Sequence, residues 1–229
     1  MKKIPFELHT EVYTPKDIAK VLSLAVNDKN FTGNNKGEKF LNVPVSFDIE
    51  TTSFYRDEDG ETYSYERYMK LGGKETKMEK CSLMYVWQFG INGFCIMGRT
   101  WDEFLQMLSE IVDILELCPK KRIIIYVHNL AYEFQFFREL LEWEKVFSID
   151  LRKPIYGITK TGLEFRCSYL LSGYSLAKLG EQLHTYKCEK LVGDLDYSLL
   201  RHSKTPLTQK EIGYCLNDIK VVMCYIQEL

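Results

Sequence analysis

The 229-residue sequence has no apolar run that approaches the roughly 20 residues a membrane-spanning helix needs. Its basic N-terminus, with Lys2 and Lys3, is not followed by the apolar stretch of a secretory signal peptide. We therefore expect no membrane partner and a cytoplasmic location.

An excess of charge of either sign is also missing, because 30 Lys and Arg residues face 32 Asp and Glu residues, for a net charge of -2. This balance excludes a globally basic, histone-like nucleic-acid binder, although a locally basic groove is still compatible with it. The 7 cysteines form no CxxC pair, and the 4 histidines show no metal-ligand spacing. Free, buried thiols are therefore favoured over disulfides or zinc.

Hydrophobic periodicity predicts an α/β fold, a mixed sheet flanked by helices. Strand patterns occupy residues 40–49, 82–91, 94–98 and 122–127, and a further hairpin occupies residues 149–167. Helical patterns occupy residues 101–117, 134–143, 176–183 and 208–229. Antiparallel strands followed by helix, strand and helix suit a mixed sheet flanked by helices, which is the arrangement of ribonuclease-H-like nucleases.

Two segments do not fit this pattern. Residues 1–39 are expected to form an N-terminal appendage, in which Thr14 and Pro15 begin a short helix. Residues 53–80 are charged and tyrosine-rich, and they predict a long loop or a mobile hairpin inserted between core strands. The main domain is then residues 40–229.

Carboxylates stand at the ends of several predicted elements. Asp48 and Glu50 are two residues apart at the end of a strand, so both point to one face. Two neighbouring carboxylates favour a divalent cation between them, unless the pair simply faces solvent. Glu133 follows the strand at residues 122–127, where it is either a site residue or a first-turn acid. Tyr214 and Asp218 share one face of the last helix beside its apolar stripe; the alternative is a solvated aspartate.

Together, these places resemble a known pattern. The segments FDIETT, HNLAYE and YCLND, in this order, are similar to the three exonuclease motifs of the proofreading domain of family B DNA polymerases. The closest resemblance is to the protein-primed branch of small bacteriophages, linear plasmids and mobile elements, which also carries a segment similar to GDLDY at residues 193–197. The resemblance covers residues 40–229 and implies a ribonuclease-H-like 3′→5′ exonuclease acting on single-stranded DNA 3′ ends.

The resemblance also implies roles for individual residues. Two Mg²⁺ or Mn²⁺ ions would be held by Asp48, Glu50, Glu133 and Asp218, and Tyr214 would orient the attacking water. The residues implied to bind the nucleic acid are Thr51, His128, Asn129, Tyr132, Ser168, Tyr169, Lys190 and Tyr197.

The sequence departs from the family pattern at two positions. The second motif usually ends in Asp, and Glu133 is one methylene longer. The protein-primed branch often has a lysine directly before the glycine of the GDLDY-like segment, where this sequence has Val192. Either Lys190 substitutes for that lysine or the contact is missing.

No later carboxylate motif of a polymerase palm is present, and the last helix still carries apolar residues at its end. We therefore expect an excised N-terminal part of a larger polymerase. Its partners would be the polymerase domain of the same longer chain and possibly a terminal protein, in the cytoplasm of a bacterial host if a phage or plasmid encodes it. The alternatives are a non-catalytic nucleic-acid-binding module of the same fold and a stand-alone DNA or RNA exonuclease.

Overall fold

The computed structural model describes residues 2–192, 195–197 and 199–229. The strands in these residues are β1 (Val12–Tyr13), β2 (Phe31–Gly33), β3 (Lys39–Leu41), β4 (Val45–Arg56), β5 (Thr62–Tyr63), β6 (Glu79–Ile91), β7 (Phe94–Gly98), β8 (Lys121–Val127), β9 (Trp143–Ser148), β10 (Pro154–Thr159) and β11 (Leu163–Cys167). The helices are α1 (Ile18–Ala25), α2 (Tyr65–Lys70), α3 (Trp101–Leu115), α4 (Leu130–Phe137), α5 (Ser168–Ser172), α6 (Leu176–Glu181) and α7 (Gln209–Glu228). None of the helices described here is long and apolar enough to cross a bilayer.

The strands form one mixed sheet in the order β1-β7-β6-β4-β8-β11-β10-β9. β4 lies near its middle, antiparallel to β6 and parallel to β8. α1, α3 and α4 contribute to the main hydrophobic core on one face, and α7 packs on β4 and β6. The predicted class, a mixed sheet flanked by helices, is confirmed.

Alternation along the central strands separates the two faces of the sheet. Phe47 and Ile49 of β4 are buried in the main core, so Asp48 and Glu50 point to the opposite face. On β6, Gly90 lies so close to α7 that an added Cβ would come within 2.6 Å of the Met223 side chain. The face that carries both acids is therefore the face that α7 covers.

The tight turn at Asn92 and Gly93 is confirmed, with φ angles of 49° and 90°. The Asn92 amide donates a 2.6 Å hydrogen bond to the Ala25 carbonyl, and it also contacts the Pro5 carbonyl. β1 pairs with β7, and α1 places Val21 in the main core. Residues of the N-terminal segment thus pack against the sheet and the main core.

The helix predicted at residues 134–143 is wrong. α4 begins earlier, at Leu130, and ends at Phe137, and Trp143 begins β9, a strand that was not predicted. The Phe134 and Trp143 rings lie 5.0 Å apart, and the Trp143 indole donates to the Arg138 carbonyl at 2.6 Å. These aromatic residues face one core from both sides of a turn, which explains why their spacing resembles that of one helix.

Residues 53–80 extend the central hairpin. The β4–β6 pairing continues outward to Arg56 and Glu79, and β5 and α2 lie between the two strands. The Tyr55 and Tyr68 rings stack at 3.7 Å and pack α2 onto β4. α5 was not predicted, whereas α3, α6 and α7 lie where the sequence places helices.

Candidate active site

Three carboxylates meet under α7. Asp48 and Glu50 come from β4 and Asp218 comes from α7, and one carboxylate oxygen from each lies within 4.8 Å of the others. They line a pocket of about 280 Å³. The two-residue period of β4 and the packing of α7 on that face bring them together.

Burial dominates the electrostatics of this cluster. It raises the pKa of Asp48 well above its ordinary value, and the charges of Asp218 and Glu50 raise it further. Burial, with the charge of Asp218, raises the pKa of Glu50 to about 7. The pKa of Asp218 is also raised by burial, although its hydrogen bond to Lys190 opposes the change. Like charges in a buried cluster of this kind are stabilised by cations or protons.

Glu133 lies in the first turn of α4 and lines the same pocket. Its side chain is 5% exposed, and burial raises its pKa to about 8. Its Oε2 atom has no hydrogen-bond partner among the described residues. Glu133 is not part of the close group of three acids, so it faces the cluster from a greater distance.

Lys190 enters the pocket from the segment before the GDLDY-like region. Its Nζ atom donates to Asp218 and lies 4.0 Å from the centroid of the Tyr214 ring. Asn217 of α7 holds this segment, because its Oδ1 atom accepts the Leu191 N–H at 2.7 Å. Val192 is 80% exposed. Of residues 190 and 192, the structure thus places Lys190 next to Asp218.

Two tyrosines complete this side of the pocket. The Tyr197 hydroxyl lies 3.4 Å from Glu50 Oε2 and 3.3 Å from the Tyr214 hydroxyl. Burial and the charge of Glu50 raise the pKa of Tyr197, so its phenol stays protonated. Of the GDLDY segment, Gly193 and Asp194 lie outside the described residues.

His128 also lines the pocket, and its Nδ1 atom lies 3.1 Å from the Ser168 hydroxyl. Burial lowers the pKa of His128 to about 4, so the imidazole is neutral near pH 7. Ser168 is fully buried, which leaves it no surface for direct contact with a DNA strand. The neighbouring Tyr169 is 43% exposed and meets His128 edge-on at 5.8 Å.

The other residues predicted to contact the DNA strand lie beside the pocket without lining it. The Thr51 and Tyr132 hydroxyls are 2.5 Å apart, so a hydrogen bond joins β4, directly after Glu50, to α4. Asn129 has a φ of 68° and precedes α4 with its side chain exposed. Tyr132 is exposed as well, so its ring is accessible to a base.

Sequence reasoning missed Arg201. Its side chain is 4% exposed, and it pairs with Glu211 at 2.7 Å near the start of α7. A single arginine that follows two leucines in an irregular segment carries no local signal. The burial of a charged side chain between distant segments is visible only in the fold.

No protein-family model matches the sequence, and no curated protein is similar to it in sequence. Solved structures match in fold. Phi29 DNA polymerase complexed with primer-template DNA and incoming nucleotides superposes on 80% of this chain, with a TM-score of 0.56 and 16% identity. The same polymerase complexed with single-stranded DNA superposes on 79%, with a TM-score of 0.53 and 15% identity. The catalytic core of RRP6 from Trypanosoma brucei superposes on 100% of this chain and 49% of its own, with a TM-score of 0.48 and 9% identity.

In both polymerase superpositions, the matched part amounts to 30% of the polymerase chain. At these identities, the similarity shows the fold alone. The ribonuclease-H-like fold expected from the sequence is confirmed.

Proposed function

We propose that this chain is the metal-dependent 3′→5′ exonuclease domain of a protein-primed family B DNA polymerase, hydrolysing single-stranded DNA from its 3′ end. The observation that carries the proposal is the meeting of Asp48, Glu50 and Asp218 within 4.8 Å in a pocket. The proposed partners are the polymerase domain of a longer chain and a terminal protein.

The residues of the pocket fit a divalent metal. Their donors are carboxylate oxygens, which suit Mg²⁺ and Mn²⁺. Burial and the neighbouring negative charges raise the pKa values of Asp48 and Glu50, a condition that a bound cation relieves, and the unpartnered Glu133 oxygen offers a further donor. Asp48, Glu50 and Asp218, with Glu133 beside them, would hold two ions. When bound, such ions lower the pKa of a coordinated water and stabilise the leaving 3′ oxygen.

The remaining side chains would orient the reactants. Tyr214 would direct the attacking water through its hydroxyl, and Tyr197 would hold Glu50 by the contact at 3.4 Å. The exposed rings of Tyr132 and Tyr169 provide stacking surfaces for bases. Stacking does not depend on net charge, so it suits a chain whose net charge is -2.

The test is digestion of 5′-labelled single-stranded DNA and RNA of the same sequence, with Mg²⁺, Mn²⁺ or EDTA. We expect a ladder of DNA shortened from the 3′ end that disappears in EDTA. Asp48→Asn and Asp218→Ala should each lower the rate by about 10²-fold or more, because each removes a metal ligand. Asp113→Asn, in an exposed acid on α3, is the control and should keep full activity.

A wild-type chain that shortens neither substrate with Mn²⁺ would contradict the proposal and favour a non-catalytic binding module. Faster digestion of RNA than of DNA would favour a stand-alone RNA exonuclease.

A further inference from the structure

Arg201 lies outside the pocket but joins the elements that surround it. Its guanidinium donates to the Asp196 carbonyl and, at 2.7 Å, to Glu211 Oε1. It also lies 5.7 Å from the centroid of the Tyr85 ring on β6. Its backbone N–H donates to the Thr52 hydroxyl of β4 at 3.2 Å. One buried side chain thereby contacts β6, α7 and the carbonyl next to Tyr197.

Residues 195–197 and 199–201, which we call the strap, present Tyr197 to the acids. The Tyr197 hydroxyl lies against Glu50 and Tyr214, but the residue is 59% exposed overall, so its position also depends on the backbone of the strap. Leu195 is buried at one end of the strap. At the other end, the Thr52 hydroxyl donates to the Leu199 carbonyl at 3.2 Å. Arg201 supplies the contact next to Tyr197 itself, at the Asp196 carbonyl.

Glu211 connects the strap to the catalytic helix. Its Oε2 atom accepts the Thr208 N–H at 2.8 Å and the Thr208 hydroxyl at 2.9 Å, which caps α7. Its Oε1 atom accepts from Arg201. The strap is therefore tied to the start of the helix that carries Tyr214 and Asp218. The planar guanidinium donates in two fixed directions at once, which the single ammonium of a lysine does not reproduce.

We propose that Arg201 is a positioning residue that holds the Tyr197 hydroxyl at Glu50 and Tyr214 and so supports the exonuclease reaction. The proposal rests on the proposed function. Arg201 makes no hydrogen bond to Asp48, Glu50 or Asp218 in these interactions, and it acts through Tyr197.

A double-mutant cycle with Arg201→Lys and Tyr197→Phe tests this coupling. We expect Arg201→Lys to lower kcat on single-stranded DNA about tenfold or more, because catalytic geometry tolerates only small displacements. Tyr197→Phe should lower kcat similarly, and the double variant should be no slower than Tyr197→Phe alone. Independent effects that multiply in the double variant would overturn the proposal.

Arg99→Lys is the matched control. Arg99 ties the next part of the same loop to β6, donating to the Tyr85, His202 and Thr205 carbonyls at 2.8, 3.1 and 2.7 Å. It makes no contact with Asp196 or Tyr197 in these interactions. Any effect of Arg99→Lys should therefore multiply with that of Tyr197→Phe. If the effects of Arg99→Lys and Tyr197→Phe are also non-additive, the coupling reflects a general loosening of the loop, and the proposal is overturned.

Amide hydrogen exchange provides a measurement that does not need activity. Arg201→Lys should speed exchange in the strap about tenfold or more while the sheet stays protected, and Tyr197→Phe should leave strap exchange unchanged. If the wild type shows no nuclease activity, the proposed function fails, but the exchange rates still decide whether Arg201 holds the strap. Unchanged exchange in Arg201→Lys overturns the inference whatever the activity.

Discussion

Raising the pH from about 6 to about 8 in EDTA should destabilise the protein, because buried acids must then ionise without a metal. Burial raises the pKa of Glu50 from 4.5 to about 7 and that of Glu133 from 4.5 to about 8. Between pH 4.5 and the raised pKa of each group, the folded state binds a proton that the unfolded state does not. Stability is therefore full below about pH 4.5 for these groups and is lost as the pH rises through 7 and 8.

The expected size of the effect follows from these values. Between pH 6 and pH 8, the ionisation of Glu50 lowers the free energy of unfolding by about 1 kcal/mol and that of Glu133 by about 2 kcal/mol. The total loss is therefore about 3 kcal/mol. For a chain of this length, that loss corresponds to roughly 6–12 °C in melting temperature. Bound Mn²⁺ displaces the protons, so its stabilising increment should be larger at the higher pH.

The assay is thermal unfolding followed by circular dichroism at both pH values, with EDTA or with saturating Mn²⁺. The side chain at position 133 cannot ionise in Glu133→Gln. The free energy of unfolding of this variant in EDTA should therefore fall by only about 1 kcal/mol between the two pH values. Glu110→Gln, in an acid of α3 outside the pocket, should behave like the wild type. A melting temperature in EDTA that does not fall, or a Mn²⁺ increment that is equal at both pH values, would refute the reasoning.

Three further predictions concern single side chains. Glu133→Asp should lower nuclease activity because the shorter side chain leaves a gap of about one methylene, and Glu133→Gln should be at least as damaging; full turnover in Glu133→Gln, measured alongside its melting temperature, would leave a three-carboxylate site. Tyr169→Ala should weaken binding of a single-stranded oligonucleotide about tenfold or more by fluorescence anisotropy, because one stacked base is lost; the control Tyr65→Ala, in an exposed ring of α2, should not, and equal dissociation constants for both variants would remove Tyr169 from the site. Asn92→Ala should lower the free energy of unfolding by about 2 kcal/mol in urea, because it leaves the Ala25 carbonyl without its 2.6 Å partner and puts alanine at positive φ; Asn35→Ala, at an exposed position in a turn, is the control, and an equal effect of the two would contradict the role of the Asn92 side chain.

Features of the fold that depend on neighbours in the chain could be predicted from the sequence. The alternation of Phe47 and Ile49 with Asp48 and Glu50 assigns the acids to one face of a strand. The turn at Asn92 and Gly93 follows from residues that tolerate positive φ. The element order then implied the correct sheet architecture.

Features that depend on how distant segments meet were decided only by the tertiary structure. That residue 190 and not residue 192 reaches Asp218 depends on the path of an irregular segment held by Asn217. The burial of Ser168 behind His128 depends on how α5 follows β11.

The end of α4 and the start of β9 were misjudged because their aromatic residues share one core, and an apolar pattern does not show whether it belongs to one element or to two. The burial of Arg201 could not be predicted from the sequence either. Local periodicity reports which face of an element is apolar, whereas the burial of a charge depends on partners that folding brings from elsewhere in the chain.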